Sequence, residues 1–392
     1  MLVQFTTENH RSIKNSAVVS FVASKDKSLA EYLLHPDEKK TLLPAIAIYG
    51  ANAAGKSNVL HAMHTMREMV VGDAAKVLKG QKLPWEPFGG NTEPTSFEIV
   101  FIYQGVRYAY GFSFDEKKIY TEYLYHWPNG REALIFSRDN GVYEFRENVN
   151  EQVTLSNRTP DNKLYLVSSN DWNLSQTENA YKWFLEKLTF LMEEEPATSA
   201  TVAQIVSGDK EKARILKELM LADLGISDVS IKNIAGKAPV ITTTHRIIHE
   251  DGNVEYFQLL MDQESAGTQH FFARIGGWLQ ALENGALLVV DEIEDSLHPL
   301  LTKRLIEMVQ DKNANTKGAQ LLFTTHDAML LDLNFFRRDQ IWFAEKDDKS
   351  CATELYALSS FSPRKGENVR KGYLQGRFGA IPFIGGDGPW QR

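Results

Sequence analysis

The chain has one cysteine, Cys351, so an intrachain disulfide is impossible and a cysteine-based zinc site is disfavoured. A chain so poor in cysteine fits a reducing compartment. It has no run of about 18 uncharged apolar residues, the length that spans a bilayer. The opening MLVQFTTENHRSIKNS has no apolar core of signal-peptide length, so secretion and membrane insertion are both disfavoured and a cytoplasmic home is expected. Positive charge is not in excess: 43 Lys and Arg stand against 51 Asp and Glu, a net charge of −8. That balance gives no global attraction for nucleic acid or anionic lipid, and leaves only a local basic face open. No internal repeat, low-complexity tract or sustained apolar heptad is visible, which excludes a solenoid and a long coiled coil.

What is present begins with AIYGANAAGKSNVLHAM, residues 47–63. Gly50, Gly55, Lys56 and Ser57 complete the pattern GxxxxGKS, preceded by an apolar stretch and followed by a helix-compatible run. In that setting backbone N–H groups point at phosphates, Lys56 neutralises their charge, and Ser57 offers a hydroxyl to magnesium. Asn52, Gly55, Lys56, Ser57 and Asn58 are therefore the expected nucleotide-binding set, with Mg²⁺ beside the phosphates.

A chain of 392 residues exceeds what one core usually supports, so several regions are expected. Residues 1–75 read as the first part of a nucleotide-binding head, with strands LVQFTTENH and AVVSFVAS around an RSIKN turn that exposes Arg11. Residues 76–175 alternate aromatic and β-branched residues with polar ones, broken by Gly105, PNG and DNG, and read as antiparallel strands packed on the head. Strand alternation explains those aromatics better than a base-stacking platform. Residues 176–225 read as a helical insertion, with QTENAYKWFLEKLTFLMEEEP and TVAQIVSGDKEKARILKELMLADLG as its helices and Gly225 as terminator. Residues 226–350 return to strands alternating with helices, including a helix over 266–285 and another over 301–318. Residues 351–392 form a C-terminal extension. The fold class is α/β: a mixed, mostly parallel core sheet with an antiparallel β region and a helical insertion.

Leu287 to Val290 form an apolar strand that delivers Asp291 and Glu292 at its carboxyl end, where ligands of parallel sheets collect. Asp291 is placed to hold the metal and Glu292 to act as base toward an attacking water. LLFTTHD is a second such strand, and Thr324, Thr325 and His326 follow it to the same edge. A histidine there can hydrogen-bond the γ-phosphate or align the water.

With these residues in order, the sequence resembles the ABC-type ATPase heads of chromosome-maintenance, DNA-repair and phage-defence proteins. DQESAGTQ, residues 262–269, is similar to their signature segment, which implies that Ser265 and Gly267 touch the partner subunit's γ-phosphate. DEIEDSLHP resembles the acid pair followed by the interface loop, Asp295 to Pro299, and His326 matches the switch histidine. ENHRSIKNS resembles the amino-terminal turn that brings an arginine, here Arg11, toward the nucleotide. The ending YLQGRFGAIPFIG and the compact size resemble the RloA-like predicted ATPases of bacterial restriction and abortive-infection loci, within the ABC/SMC-like AAA family ATPases. The signature lacks an adjacent glycine pair, and the glutamine expected at the magnesium site has only Gln81 and Gln104 as candidates.

The resemblance implies an Mg-dependent ATPase, with ATP and Mg²⁺ as cofactors, that works as a homodimer or a higher even-numbered oligomer. It further implies a switch or sensor regulating a separately encoded toxin or nuclease. A second reading is a repair-type ATPase acting directly on DNA, which requires Lys76, Lys79, Lys82, Lys210, Lys212, Arg214 and Lys217 to build a basic face.

Overall fold

The computed structural model describes residues 1–37, 40–192, 198–222, 225–232, 238–361, 363 and 366–382. Among them, three sheets and the helices around them account for the architecture. Strands β1 (Leu2–Glu8) and β2 (Ala17–Ser20) form the amino-terminal hairpin, and β3 (Ala45–Tyr49) leads into helix α1 (Lys56–Val71). Then come β4 (Thr95–Tyr103), β5 (Val106–Phe114), β6 (Ile119–Trp127), β7 (Ala133–Asp139) and β8 (Val142–Phe145), joined as an antiparallel meander. With the hairpin they make a seven-stranded sheet in the order β2-β1-β4-β5-β6-β7-β8. Its aromatics turn inward: Phe97, Phe101, Tyr110 and Phe112 are buried, and Phe101 stacks on the buried Trp183. A base-stacking platform needs such rings at the surface.

Helices α2 (Val149–Ser156), α3 (Tyr165–Asp171) and α4 (Ser175–Glu186) follow, and then β9 (Leu188–Leu191). The segment QTENAYKWFLEKLTFLMEEEP was expected to be helical throughout, but the helix stops at Glu186 and LTFL is a strand. Parallel pairing with β13 (Leu287–Val290) decides this, since each of its residues is matched in register to one of that strand. Tertiary pairing outweighs a local helical pattern here. Residues 193–196 of that segment lie outside the described residues. The second expected helix is two, α5 (Thr198–Ser207) and α6 (Asp209–Leu221), divided at Gly208. Strands β10 (Ile226–Lys232), β11 (Val240–Ile248) and β12 (Val254–Leu260) make a small antiparallel sheet, from which the chain enters α7 (Ala266–Asn284).

The last part contributes α8 (Pro299–Gln310), β14 (Gln320–Thr325), β15 (Ile341–Lys346), β16 (Thr353–Ala357) and α9 (Val369–Leu374). Helix α8 ends eight residues short of the expected 301–318 span; Asp311 ends it, and its carboxylate turns back to Asn313 N–H. The central sheet has the order β16-β15-β3-β14-β13-β9, parallel except for β16. Its middle strands are buried along their whole length, as a sheet covered on both faces requires. Alternation divides each strand between two cores. Ile46, Ile48 and Val289 join the core shared with α1 and the seven-stranded sheet, while Ala45, Ala47 and Val290 join the core under α7 and α8. The buried Gln320 side chain ties the sheets together: it accepts from Leu2 N–H at 2.6 Å and donates to the Leu2 and Leu43 carbonyls. Thr353–Ala357, within the segment expected as an extension, thus supplies the edge strand of the central sheet.

Candidate functional site

Three segments meet at the carboxyl edge of the central sheet, because β3, β13 and β14 run parallel and end side by side. The first is the loop after Tyr49. Ala53 and Gly55 both adopt left-handed backbone, at φ 61° and 93°. Gly55 is required for a second reason: a β-carbon there would lie 2.0 Å from Thr353 Oγ1 and 2.7 Å from Ser12 Oγ. Asn52 is exposed, and Lys56 is buried with its ammonium donating to the carbonyls of Gly50 and Ala51, each at 3.1 Å. Burial lowers the Lys56 pKa below its usual range, and Glu292, Asp291 and Glu294 act against that fall. Helix α1 opens at Lys56, so its first N–H groups lack intrahelical partners and favour an anion.

The second segment is the acid pair. Ser57 Oγ donates to Asp291 Oδ1 at 3.1 Å, and Thr324 Oγ1 donates to the same oxygen at 2.5 Å. Glu292 has left-handed backbone, φ 44°, and its N–H donates to Thr324 Oγ1 at 2.8 Å. The third segment brings His326, whose Nε2 lies 3.5 Å from Glu292 Oε1 and whose backbone N–H donates to Glu294 Oε1 at 2.5 Å. Lys56, Ser57, Asp291, Glu292 and His326 are therefore gathered, although 269 positions in sequence separate Ser57 from His326 (326 − 57).

Ser265 and Gly267 belong to the start of α7. Ser265 is the exposed N-cap of α7, accepting the Thr268 N–H at 3.1 Å. Gly267 lies against the loop after the acid pair: a β-carbon there would come within 2.9 Å of the Ser296 carbonyl oxygen. His270 pairs with Asp295 at 3.1 Å and Arg274 donates to the Ile293 carbonyl at 2.9 Å, so α7 and this loop form one surface.

Arg11, expected to be exposed, is only partly so: its Nε donates to Glu86 Oε2 at 2.6 Å. Gln81 folds back on its own loop, bonding Leu78 N–H, and Gln104 occupies the β4–β5 turn; neither bonds to Ser57 or Asp291. Four residues of the site carried no assigned role in the sequence. Ser12 accepts from Asn58 Nδ2 at 2.6 Å and meets Thr353 Oγ1 at 2.7 Å. Thr353 Oγ1 also contacts the Ala54 carbonyl at 3.0 Å, and Thr324 and Glu294 hold the acid pair and the histidine. Only Thr324 and Glu294 had a local signal, by lying inside the motifs they support.

A phosphate loop at the end of one parallel strand and paired acids at the end of another define a mixed α/β fold of the P-loop ATPase type. A family model described as "AAA domain, putative AbiEii toxin, Type IV TA system" matches residues 45–332. The chain belongs to that family, and so to the AAA-type ATPase domains linked to abortive-infection systems. None of the curated proteins matches the chain. Among solved structures it is similar to one titled "Crystal structure of the SmcHead bound to the C-winged helix domain of ScpA", at 12% identity and a TM-score of 0.39. That match covers 92% of this chain and 99% of the other. Among the described residues no helix is long and apolar enough to cross a membrane.

Proposed function

We propose that the chain is an ATP-hydrolysing, dimerisation-coupled switch that regulates a toxin or nuclease effector in bacterial anti-phage defence. The observation that carries this reading is the convergence of Ser57, Asp291, Glu292 and His326 on the loop that holds Lys56. Lys56 and the first N–H groups of α1 bind the phosphates. Ser57 and Asp291 present a hydroxyl and a carboxylate 3.1 Å apart, the hard oxygen donors that magnesium takes. Bound there, the ion would supply charge neutralisation at the phosphate oxygens. Glu292 accepts a proton from the attacking water, and His326, 3.5 Å from its carboxylate, orients that water or the terminal phosphate.

Ser265 is exposed and makes its hydrogen bonds within its own helix start, which supports a role toward a second subunit. In this reading each composite site takes Lys56, Ser57, Asp291, Glu292 and His326 from one chain and Ser265 with Gly267 from the other. The DNA-directed alternative has less support, because a net charge of −8 gives no general attraction for a phosphate backbone.

A mixing experiment tests the proposal. Chains carrying Lys56→Ala and chains carrying Ser265→Arg should each be nearly inactive, and mixing should restore ATPase activity through one intact composite site. Sedimentation of Glu292→Gln with ATP and Mg²⁺ accompanies it and should show a dimer. A monomer that hydrolyses ATP at a concentration-independent specific rate would refute the dimer.

A further inference from the structure

Between β12 and α7 the chain makes a single 3-10 turn, Met261–Gln263, before it reaches Glu264 and the exposed Ser265. Local bonds brace that turn: Leu260 N–H donates to Gln263 Oε1 at 3.0 Å, and Gln269 Nε2 of α7 donates to the Glu264 carbonyl at 2.8 Å. The Glu264 side chain is held from elsewhere. Its Oε1 accepts from Thr243 Oγ1 at 2.5 Å and lies 2.6 Å from His245 Nε2, on residues 21 and 19 positions earlier in the chain. Thr243 and His245 are two apart on β11 and so share one face of the small sheet.

Burial makes this contact a fixed one. The His245 and Glu264 side chains are 12% and 6% exposed, Thr243 is fully buried, and the His245 ring stacks on Phe257 of β12 with centroids 5.0 Å apart. A carboxylate enclosed in this way does not leave its donors without a large penalty. By contrast His249 and Glu255, farther along the same hairpin, are 46% and 63% exposed and hold each other weakly. Ser265 is one peptide unit from the anchored residue, so the two Cα atoms are about 3.8 Å apart and move together. Its own side-chain hydrogen bonds reach only Thr268, within the same helix start. A hydroxyl that has to meet a ligand across an interface needs placement to about 0.5 Å.

We propose that Glu264 is a positioning residue for ATP hydrolysis: β11, through Thr243 and His245, fixes its carboxylate and so sets where Ser265 meets the nucleotide of a second subunit. Glu264 acts through Ser265 and not on the nucleotide. The inference rests on the proposed role of Ser265 across the dimer, and adds to it a dependence on the small sheet. Thr243 and His245 lie outside every nucleotide motif of the chain.

ATPase kinetics, equilibrium ATP binding and subunit mixing on the full chain test it. Glu264→Ala removes the anchor and should lower kcat about tenfold, while the ATP dissociation constant stays within about threefold because the chain's own phosphate loop is intact. Mixed with Lys56→Ala chains it should regain activity as Ser265→Arg chains do, since the mixed dimer pairs its intact phosphate loop with an intact signature. Glu264→Gln keeps an oxygen that accepts from Thr243 and His245, and should hold kcat within about twofold of the unmodified chain. Thr243→Val removes one donor and keeps the shape; it should lower kcat about fivefold, which preserves the test if Glu264→Ala does not fold. Unchanged kcat in Glu264→Ala or Thr243→Val would overturn the proposal. So would a loss that mixing with Lys56→Ala leaves in place while Ser265→Arg is rescued, which would put the defect in the chain's own site, or a Glu264→Gln loss as large as that of Glu264→Ala. If the Ser265→Arg mixture itself is not rescued, the reading of Ser265 across the dimer falls, and this inference with it.

Discussion

Thr324 holds Asp291 and its neighbour at once: its hydroxyl donates to Asp291 Oδ1 at 2.5 Å and accepts the Glu292 N–H at 2.8 Å. One side chain from β14 thus fixes both acids that leave β13, including the left-handed backbone of Glu292 at φ 44°. Thr324→Val keeps the shape and removes both bonds. It should reduce turnover about tenfold, leave the ATP dissociation constant within roughly threefold, and cost about 1–2 kcal/mol of stability. Single-turnover kinetics and urea denaturation check this, and unchanged turnover would show that the acids need no such anchor.

Lys56 and Glu292 should separate binding from chemistry. Lys56→Ala removes a buried cation that meets phosphate charge in the ground state, so nucleotide affinity should fall at least about tenfold. Glu292→Gln should bind ATP normally and lose about a hundredfold or more in turnover. Equilibrium binding and phosphate release on both variants provide the comparison, and near-normal hydrolysis by Glu292→Gln would remove its role as base.

Gly55→Ala should damage the loop twice, through φ 93° and through the 2.0 Å approach to Thr353 Oγ1. Nucleotide binding should be lost, with about 1–3 kcal/mol of destabilisation. Adding Thr353→Ala removes the close approach and leaves the backbone strain, so the double variant should recover stability in part. A double variant no better than the single one would mean that Thr353 does not press on the loop.

His10 should make stability depend on pH. Its ring is fully buried, neither nitrogen has a hydrogen-bond partner among the described residues, and burial followed by the nearby Arg11 charge lowers its pKa from 6.5 to about 4. Between those values the unfolded chain binds the extra proton. The contribution is therefore full above about pH 6.5 and is lost as the pH falls toward 4, by up to about 3 kcal/mol. His10→Leu should flatten that part of the stability curve measured by urea denaturation at pH 7.5, 6 and 5. A variant with the same slope as the unmodified chain would place the titration elsewhere.

The loop, the acid pair and the histidine were legible because each follows an apolar strand at fixed spacing, and parallel strands release their ends together. The aromatic meander was legible from its period of two. Leu188–Leu191 was not, since a four-residue edge strand following a helix is defined by its partner β13 rather than by its own pattern. Ser12 and Thr353 were also hidden. A hydroxyl that supports a loop from another part of the chain needs no neighbouring motif, and nothing local distinguishes it from a surface residue.

The contact of Ser12 with Thr353 spans 341 positions of the chain. Bringing such distant segments together costs loop-closure entropy before any contact is gained. A ribosome must release Thr353 before the cradle around Gly55 can be completed from both sides. A chain that stops before β16 carries the whole GxxxxGKS motif and still lacks one wall of the loop around Gly55.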